Sequence, residues 1–366
     1  MSNQRPTPRD RDLFAGLADH LHRLDLPPVR FMEVCGSHTM AIAQHGIRDL
    51  MPASITLTSG PGCPVCVTAT ADIDVFIAAS RLPDTIITTF GDLIRVPGSR
   101  SSLGAEMGQG ADVRVVYSPL DALGLARRHP DREVVFLGVG FETTTPTVAG
   151  AILTAAQEGI GNFSILSSHK VMPPALEALL ADADLRIDGL ICPGHVSVVI
   201  GAAAYRPLVA QYRVPCVVAG FEPLDIMEAV VLLARQIADQ TPRVEVAYQR
   251  AVTEQGNGRA RAVMEQVFET APATWRGLGE IPASGLAVKA AYRHFDARER
   301  FNIATVAAKE PPGCRCGEVL KGIIAPPACK LFGAGCHPGR PVGPCMVSSE
   351  GACAAAYRYG FQGQVD

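Results

Sequence analysis

The feature that most constrains this chain is a repeat of short β-branched runs, each leaving through a Gly- or Pro-bearing turn into a helical stretch. "VRFMEV" (29–34) reads as a buried strand and "SHTMAIAQHGIRDLM" (37–51) as the helix behind it. The series continues with "SITLTS" (54–59), "DTIITTF" (84–90) and "VRVVYS" (113–118), then "EVVFLGV" (133–139), "FSILSS" (163–168), "IDGLIC" (187–192) and "VPCVVAG" (214–220). Helices such as "TPTVAGAILTAAQEG" (145–159) and "PLDIMEAVVLLARQIAD" (223–239) stand between them. Strands alternating with helices at this spacing predict two Rossmann-like, parallel-sheet α/β units. They are placed at 29–130 and 131–240, behind a helical segment at 1–28. "GFETTTP" (140–146) and "GFEPLDI" (220–226) leave their strands through the same tripeptide, which fits distant duplication and chance alike.

From about 241 the character changes. "VEVAYQRAVTEQGNGRARAVMEQVF" reads as a more charged strand and helix, the chain beyond 270 as loop-rich, and the part after 313 as rich in Cys, Gly and Pro. That is a third domain, 241–366, and it holds six of the eleven cysteines. A length of 366 residues suits two or three domains, and 35 Gly with 28 Pro suit a compact chain of many turns. A net charge of −3 with no Lys/Arg run argues against nucleic acid. The polar start "MSNQRPTPRDRDLFAG" has no apolar core behind its arginines, and no stretch has the apolar length to span a bilayer. The expectation is a cytoplasmic protein with no membrane partner, whose cysteines serve metal or thiol chemistry rather than structural disulfides.

Open parallel sheets bind ligands beyond the carboxyl ends of their strands. The loops at those ends are chemically dense: Cys35 and His38 in "CGSH", Cys63 and Cys66 in "GPGCPVC", Glu142, then His169 and Lys170 in "SSHK", Cys192 and His195 in "CPGH", and Glu222. A lone Cys or His is ordinarily a core residue, but several in strand-end loops point to one reactive rim. Cys216, inside an apolar strand, reads as structural, and Cys192 fits either role. The Cys63–Cys66 pair suits dithiol–disulfide chemistry near a helix start. With Cys35 and His38 it also makes a possible zinc set. The tail cysteines 314, 316, 329, 336, 345 and 353 are separated by Gly/Pro-rich loops. Four thiolates from such loops suit a [4Fe–4S] cluster. Structural zinc is the plainer alternative, although its sites favour tight C-x₂₋₄-C pairs.

Together, "EVCGSHTMAIAQHGIR", "GPGCPVCVT", "GFETTTPT", "SSHKVMPP", "CPGHVSVVIG", "GFEPLDI" and the cysteine-rich tail resemble the HypD family of [NiFe]-hydrogenase maturation, over nearly the whole chain. The resemblance implies a scaffold on which the Fe(CN)₂CO group is assembled, in complex with a HypC-type small chaperone and with cyanide delivered by a HypE-type donor. It implies two α/β domains and a third holding a [4Fe–4S] cluster. The family's C-x₁₄-C-x₆-C-x₁₆-C pattern falls on Cys314, Cys329, Cys336 and Cys353, leaving Cys316 and Cys345 as non-ligands. Its essential Cys falls on Cys35, expected to hold the iron that carries CN and CO transiently, and its C-x-x-C pair on Cys63 and Cys66, expected either to exchange electrons between the cluster and the iron or to ligate the iron directly.

His38 is then expected to lower the Cys35 pKa, to accept a hydrogen bond from an iron ligand, or to bond backbone at the helix start. Glu142, His195 and Glu222 are candidates for second-layer or proton-handling groups, with helix capping the alternative for Glu222. The expected role is an assembly scaffold with redox activity rather than a multiple-turnover enzyme. A cluster-bearing thiol–disulfide oxidoreductase acting on a small molecule and a structural zinc protein are the other classes. No G-x-x-x-x-G-K-[ST] phosphate loop is present.

Overall fold

The β-branched runs become the parallel strands of two open sheets. The computed structural model describes residues 8–304 and 308–360, so the first seven residues of the 1–28 segment and the last six of the 241–366 domain lie outside the described residues. The strands are Val29–Glu33 (β1), Ile55–Ser59 (β2), Thr85–Thr89 (β3), Asp112–Val115 (β4), Glu133–Gly138 (β5), Phe163–Ser167 (β6), Gly189–Pro193 (β7), Cys216–Ala219 (β8) and Val244–Val246 (β9). Beyond them lie Phe268–Trp275 (β10) and Gly279–Val288 (β11). One sheet has the order β2-β1-β7-β8-β9 and the other β4-β3-β5-β6, with every neighbouring pair parallel. Central strands such as β3 and β7 are buried along their whole length, which is why they read as unbroken apolar runs rather than alternations.

The sheets divide the chain differently from a cut at 130/131. The chain lays down β1 and β2, crosses through the helix Thr70–Ala79 to build all of β3–β6, and returns to finish the first sheet with β7–β9. A cut at 130/131 would separate β4 from β5, which share a sheet through β3. The β-branched pattern is the same in both sheets, so periodicity reveals a strand but not the sheet that receives it.

The segment after 270 also differs from the loop-rich expectation. β10 and β11 form an antiparallel hairpin whose register slips between Ala271 and Ala273. Pro272 sits at the slip and Pro282 interrupts β11, and these breaks hide the alternation that marks a hairpin. Its position matters for the site: Trp275 bridges to Thr68, just after the CPVC turn, and Gly285 bridges to Lys170 after β6. The Trp275 indole donates to Ser284 Oγ at 2.8 Å and stacks on Phe141 with centroids 5.8 Å apart. The hairpin thus ties a loop of each sheet to the other.

The first sheet is covered on both faces. Phe31, Leu57, Ile191 and Val217 pack with Leu21 of the N-terminal helix Pro8–Arg23 and with Ile226 and Val230 of the helix Pro223–Ala238. Met32, Val34, Leu190 and Val218 face the other way, into a core shared with Cys63, Cys66, Cys316, Cys345 and Cys353. The cysteine-rich tail is therefore packed against the sheet that carries Cys35.

The closest join is between the loops after β1 and β2. Gly36 N–H donates to Gly62 O at 3.0 Å, and a Cβ at Gly62 would collide with the backbone N and Cα of Cys35. Only glycine lets the "GPGC" loop lie on the "CGSH" loop. Gly62→Ala is expected to destabilise the fold by about 1–3 kcal/mol, measured by denaturant unfolding. An unchanged midpoint would contradict this packing.

Candidate thiol site

Cys35 follows β1 as the residue before the helix Gly36–Gln44, with an extended backbone at φ −150° and ψ 124°. It is 7% exposed. Burial pushes its thiol up to about 12, and the Glu350 and Glu33 carboxylates push the same way. The backbone N–H groups of His38 and Ser37, at the start of the helix, offset this only in part. Cys35 is thus held as a neutral thiol. A soft cation that takes the proton's place removes the cost of a buried thiolate.

The His38 imidazole does not supply the positive charge expected of it. The ring is fully buried, and burial lowers its pKa to about 4. Its Nε2 lies 2.8 Å from Gly220 O; a carbonyl only accepts, so Nε2 carries the hydrogen and Nδ1 is left as a lone pair. Nδ1 has no partner among the described residues. Phe221 stacks on His38 with centroids 5.1 Å apart and on the exposed His195 at 3.9 Å. The loops after β1, β7 and β8 thus meet beside Cys35 as a His–Phe–His stack.

Cys63 and Cys66 form a disulfide with Cα atoms 5.2 Å apart, both sulfurs buried. The Cys66 N–H donates to Cys63 Sγ at 3.2 Å, at the start of the single helical turn Pro64–Val67. On its far side Cys66 Sγ lies 4.0 Å from Pro344 O, in the turn Pro344–Met346 that carries Cys345. The neighbouring Cys316 and Cys345 thiols draw Cys353 down to about 5, while Cys345 is raised by Cys316 and Cys353. Cys314 is raised chiefly by its hydrogen bond with Cys316, with burial second.

Cys314, Cys316, Cys329, Cys336 and Cys353 line one cavity; Cys345 does not. The residues fit a sulfur-bound cluster on two counts. A Cβ at Gly343 would stand 2.6 Å from Cys314 Sγ and 2.8 Å from Cys316 Sγ, so the absent side chain keeps a cradle open. The Val342 N–H donates to Cys336 Sγ at 3.3 Å, the kind of backbone bond that supports cluster thiolates. Among the described residues no group of three or more His, Cys, Asp or Glu side chains converges on a single metal ion. The position of Cys316 beside the four expected ligands was not foreseen.

The remaining candidates separate. Glu142 is buried, and burial raises its carboxyl to about 7; Oε1 accepts from the Met172 N–H at 2.9 Å, and Oε2 has no partner among the described residues. Glu222 takes its capping role, exchanging hydrogen bonds with Asp225 at the start of Pro223–Ala238. Cys192 and Cys216 are fully buried on β7 and β8. His169 turns beneath β5, with Ser167 Oγ 3.0 Å from its Nδ1, and Lys170 pairs with Asp72 at 3.4 Å.

Two carboxylates beside Cys35 escaped notice. Glu33 accepts from the Cys35 N–H at 3.2 Å and from Thr39 Oγ1 at 2.5 Å, and burial raises it to about 7. Its signal was a single acid inside an apolar strand. Glu350 accepts from Ser37 Oγ at 2.7 Å and packs on Gly36; nothing in the local sequence marks it.

Two parallel α/β sheets with a buried thiol and a disulfide in adjoining strand-end loops, set against a cysteine-lined cavity, define a thiol-bearing α/β protein. Residues 12–360 match the family model described as "HypD: Hydrogenase formation hypA family". The chain is 49% identical to the hydrogenase maturation factor HypD of Rhodobacter capsulatus, over 94% of this chain and 93% of that one. It is 48% identical to that of Rhizobium leguminosarum bv. viciae, over 96% and 94%, and 45% identical to that of Cupriavidus necator, over 96% of both. The chain belongs to the HypD family of hydrogenase maturation factors. No helix among the described residues is long and apolar enough to cross a membrane.

Glu142 makes a pH prediction. Its folded value near 7 lies above the ordinary 4.5, so the folded state holds the proton more tightly than the unfolded chain. That stability is complete below 4.5 and lost as pH rises through 7. Between pH 4.5 and 8, Glu142→Gln is expected to gain on the parent by up to about 3 kcal/mol, read from denaturant unfolding at several pH values. A difference constant with pH would contradict the assignment.

Proposed function

We propose that this chain is the scaffold on which the Fe(CN)₂CO group of a [NiFe]-hydrogenase is put together, in the cytoplasm. It works with a HypC-type small chaperone and receives cyanide from a HypE-type donor. Cys35 ligates the iron cargo together with a cysteine of the small chaperone, because low-spin Fe(II) carrying CN and CO favours soft thiolates. Cys314, Cys329, Cys336 and Cys353 hold a [4Fe–4S] cluster. That cluster, when bound, supplies electrons one at a time.

The observation carrying this reading is contiguity. The Cys35 backbone lies against Gly62, Gly62 leads directly into Cys63, Cys66 faces Pro344, and Cys345, next in the chain, shares one core with Cys353. The cargo thiol, the dithiol and the tail cysteines form one continuous series. In this reading the Cys63–Cys66 bond opens by taking two electrons and two protons, giving two thiols, and closes by returning them. Glu33 fixes the Cys35 backbone from below through the Cys35 N–H and Thr39. Glu350 holds the Ser37 turn from the tail side. His38 offers its Nδ1 lone pair as a hydrogen-bond acceptor on the same helical turn.

Infrared spectroscopy of anaerobic protein co-expressed with the small chaperone tests the scaffold role. Nitrile and carbonyl stretches are expected, and Cys35→Ala should abolish them while leaving about four cluster irons with matching sulfide. Bands that survive Cys35→Ala would contradict the assignment, and zinc without sulfide would remove the cluster.

The ligand set has its own test. Cys353→Ser is expected to lose iron and sulfide together, whereas Cys345→Ser keeps both. The reverse pattern would assign the cluster to a different set.

A further inference from the structure

The described tail is basic although the chain as a whole is acidic. Between Cys314 and Arg358 it carries Arg315, Lys321, Lys330, Arg340 and Arg358 against only Glu318 and Glu350. The two acids are engaged: Glu318 binds Arg315 and Glu350 accepts from Ser37. Lys321 pairs with Asp182 at 3.3 Å. Lys330, Arg340 and Arg358 are exposed, and no ion pair to any of them is found among the described residues.

Arg315 lines the cysteine-lined cavity, and Lys330, Arg340 and Arg358 stand within five residues of cysteines that line it. Cys314 and Cys329 are its partly exposed cysteines, whereas Cys336 and Cys353 are buried, so the opening lies on the Cys314 and Cys329 side. Arg315 and Lys330 come directly after those two cysteines in the chain. Arg315 and Cys329 line the same cavity. Arg340 sits on the tight turn after Cys336, its N–H donating to His337 O at 2.8 Å. Arg358 ends the helix Ala352–Tyr359 that begins beside Cys353. The two parts of this collar touch: Phe332 meets the edge of Tyr357, which is 46% exposed, with centroids 6.2 Å apart. Each of the four expected cluster cysteines therefore has a base within five residues, beside an exposed aromatic contact.

We propose that this basic collar is the docking surface for an acidic one-electron carrier protein of the ferredoxin class. The proposal rests on the cluster reading above. Complementary charge gathers such a partner at the cavity mouth and orients it there, while Tyr357 and Phe332 give an apolar contact. The transfer moves one electron: the carrier is oxidised, the protein is reduced, and no bond or proton changes place. A basic surface also suits nucleic acid, but this collar is small, broken by aromatic residues, and belongs to a chain of net negative charge.

The test is calorimetric titration of the purified protein with an oxidised bacterial ferredoxin, in which no electron moves, at low and at physiological salt. Binding is expected to weaken steeply with salt. The triple variant Lys330→Glu, Arg340→Glu and Arg358→Glu should bind at least tenfold more weakly, and Arg259→Glu, on a distant helix, should bind as the parent does. Equal binding by the triple variant, no binding by the parent, or full displacement by equimolar poly(U) would overturn the proposal. Iron and sulfide analysis of the same samples reports separately on the cluster: charge-dependent binding by protein without iron or sulfide would sustain the docking surface and refute the cluster.

Discussion

The contact between Gly62 and the backbone of Cys35 is the constraint on which the rest of the site depends. Two neighbouring parallel strands deliver two loops to the same edge of a sheet, and such loops normally diverge around their side chains. Here the missing Cβ lets one loop lie on the other, with Gly36 N–H to Gly62 O closing the join. That places a thiol and a disulfide on one rigid platform. The tail then packs on that platform through Pro344, Glu350 and the shared apolar core. The three groups of cysteines are adjacent because backbone approaches backbone, not because long side chains reach across a cleft.

The electrostatics of the platform are those of a site waiting for a cation. Burial and two carboxylates hold Cys35 protonated, the buried His38 is neutral, and Glu33 sits near 7. No fixed positive side chain makes Cys35 a standing nucleophile, which distinguishes it from a catalytic cysteine paired with an imidazolium. In the proposed function the iron supplies the missing charge, with Cys35 as its ligand. The tail differs, since there the neighbouring thiols draw Cys353 down to about 5.

Much of this was legible in the residues. Runs such as Thr85–Thr89 and Gly189–Pro193 are strands because they are apolar and bounded by turns, and Cys35, Cys63 and Cys66 stand where open parallel sheets place their chemistry. The Glu-Pro-Leu-Asp start of the helix Pro223–Ala238 also carries its cap openly. What stayed hidden has physical reasons. Sheet membership depends on which way a crossover turns, and the helix Thr70–Ala79 bears no mark of carrying the chain to a second sheet. The β10–β11 hairpin was masked by prolines at its irregular positions. Phe221 and Glu350 reach the site through His38 and Ser37, each more than a hundred residues away, and Cys345 is told apart from the other tail cysteines only by the cavity, which it does not line. His38 bonds backbone at Gly220 and is held neutral by burial, and a motif does not reveal that its imidazole is fully enclosed.

Electron exchange between the tail cysteines and the Cys63–Cys66 pair is the step on which the proposed function turns. The direct measurement is photoreduction of the anaerobic protein with a one-electron deazaflavin donor, then alkylation and mass spectrometry. The account predicts that Cys63 and Cys66 become alkylated as the cluster absorbance bleaches and returns, and that both stay bonded in the cluster-free Cys353→Ser variant. Equal alkylation with and without the cluster, or a bleached cluster beside an intact disulfide, would contradict it.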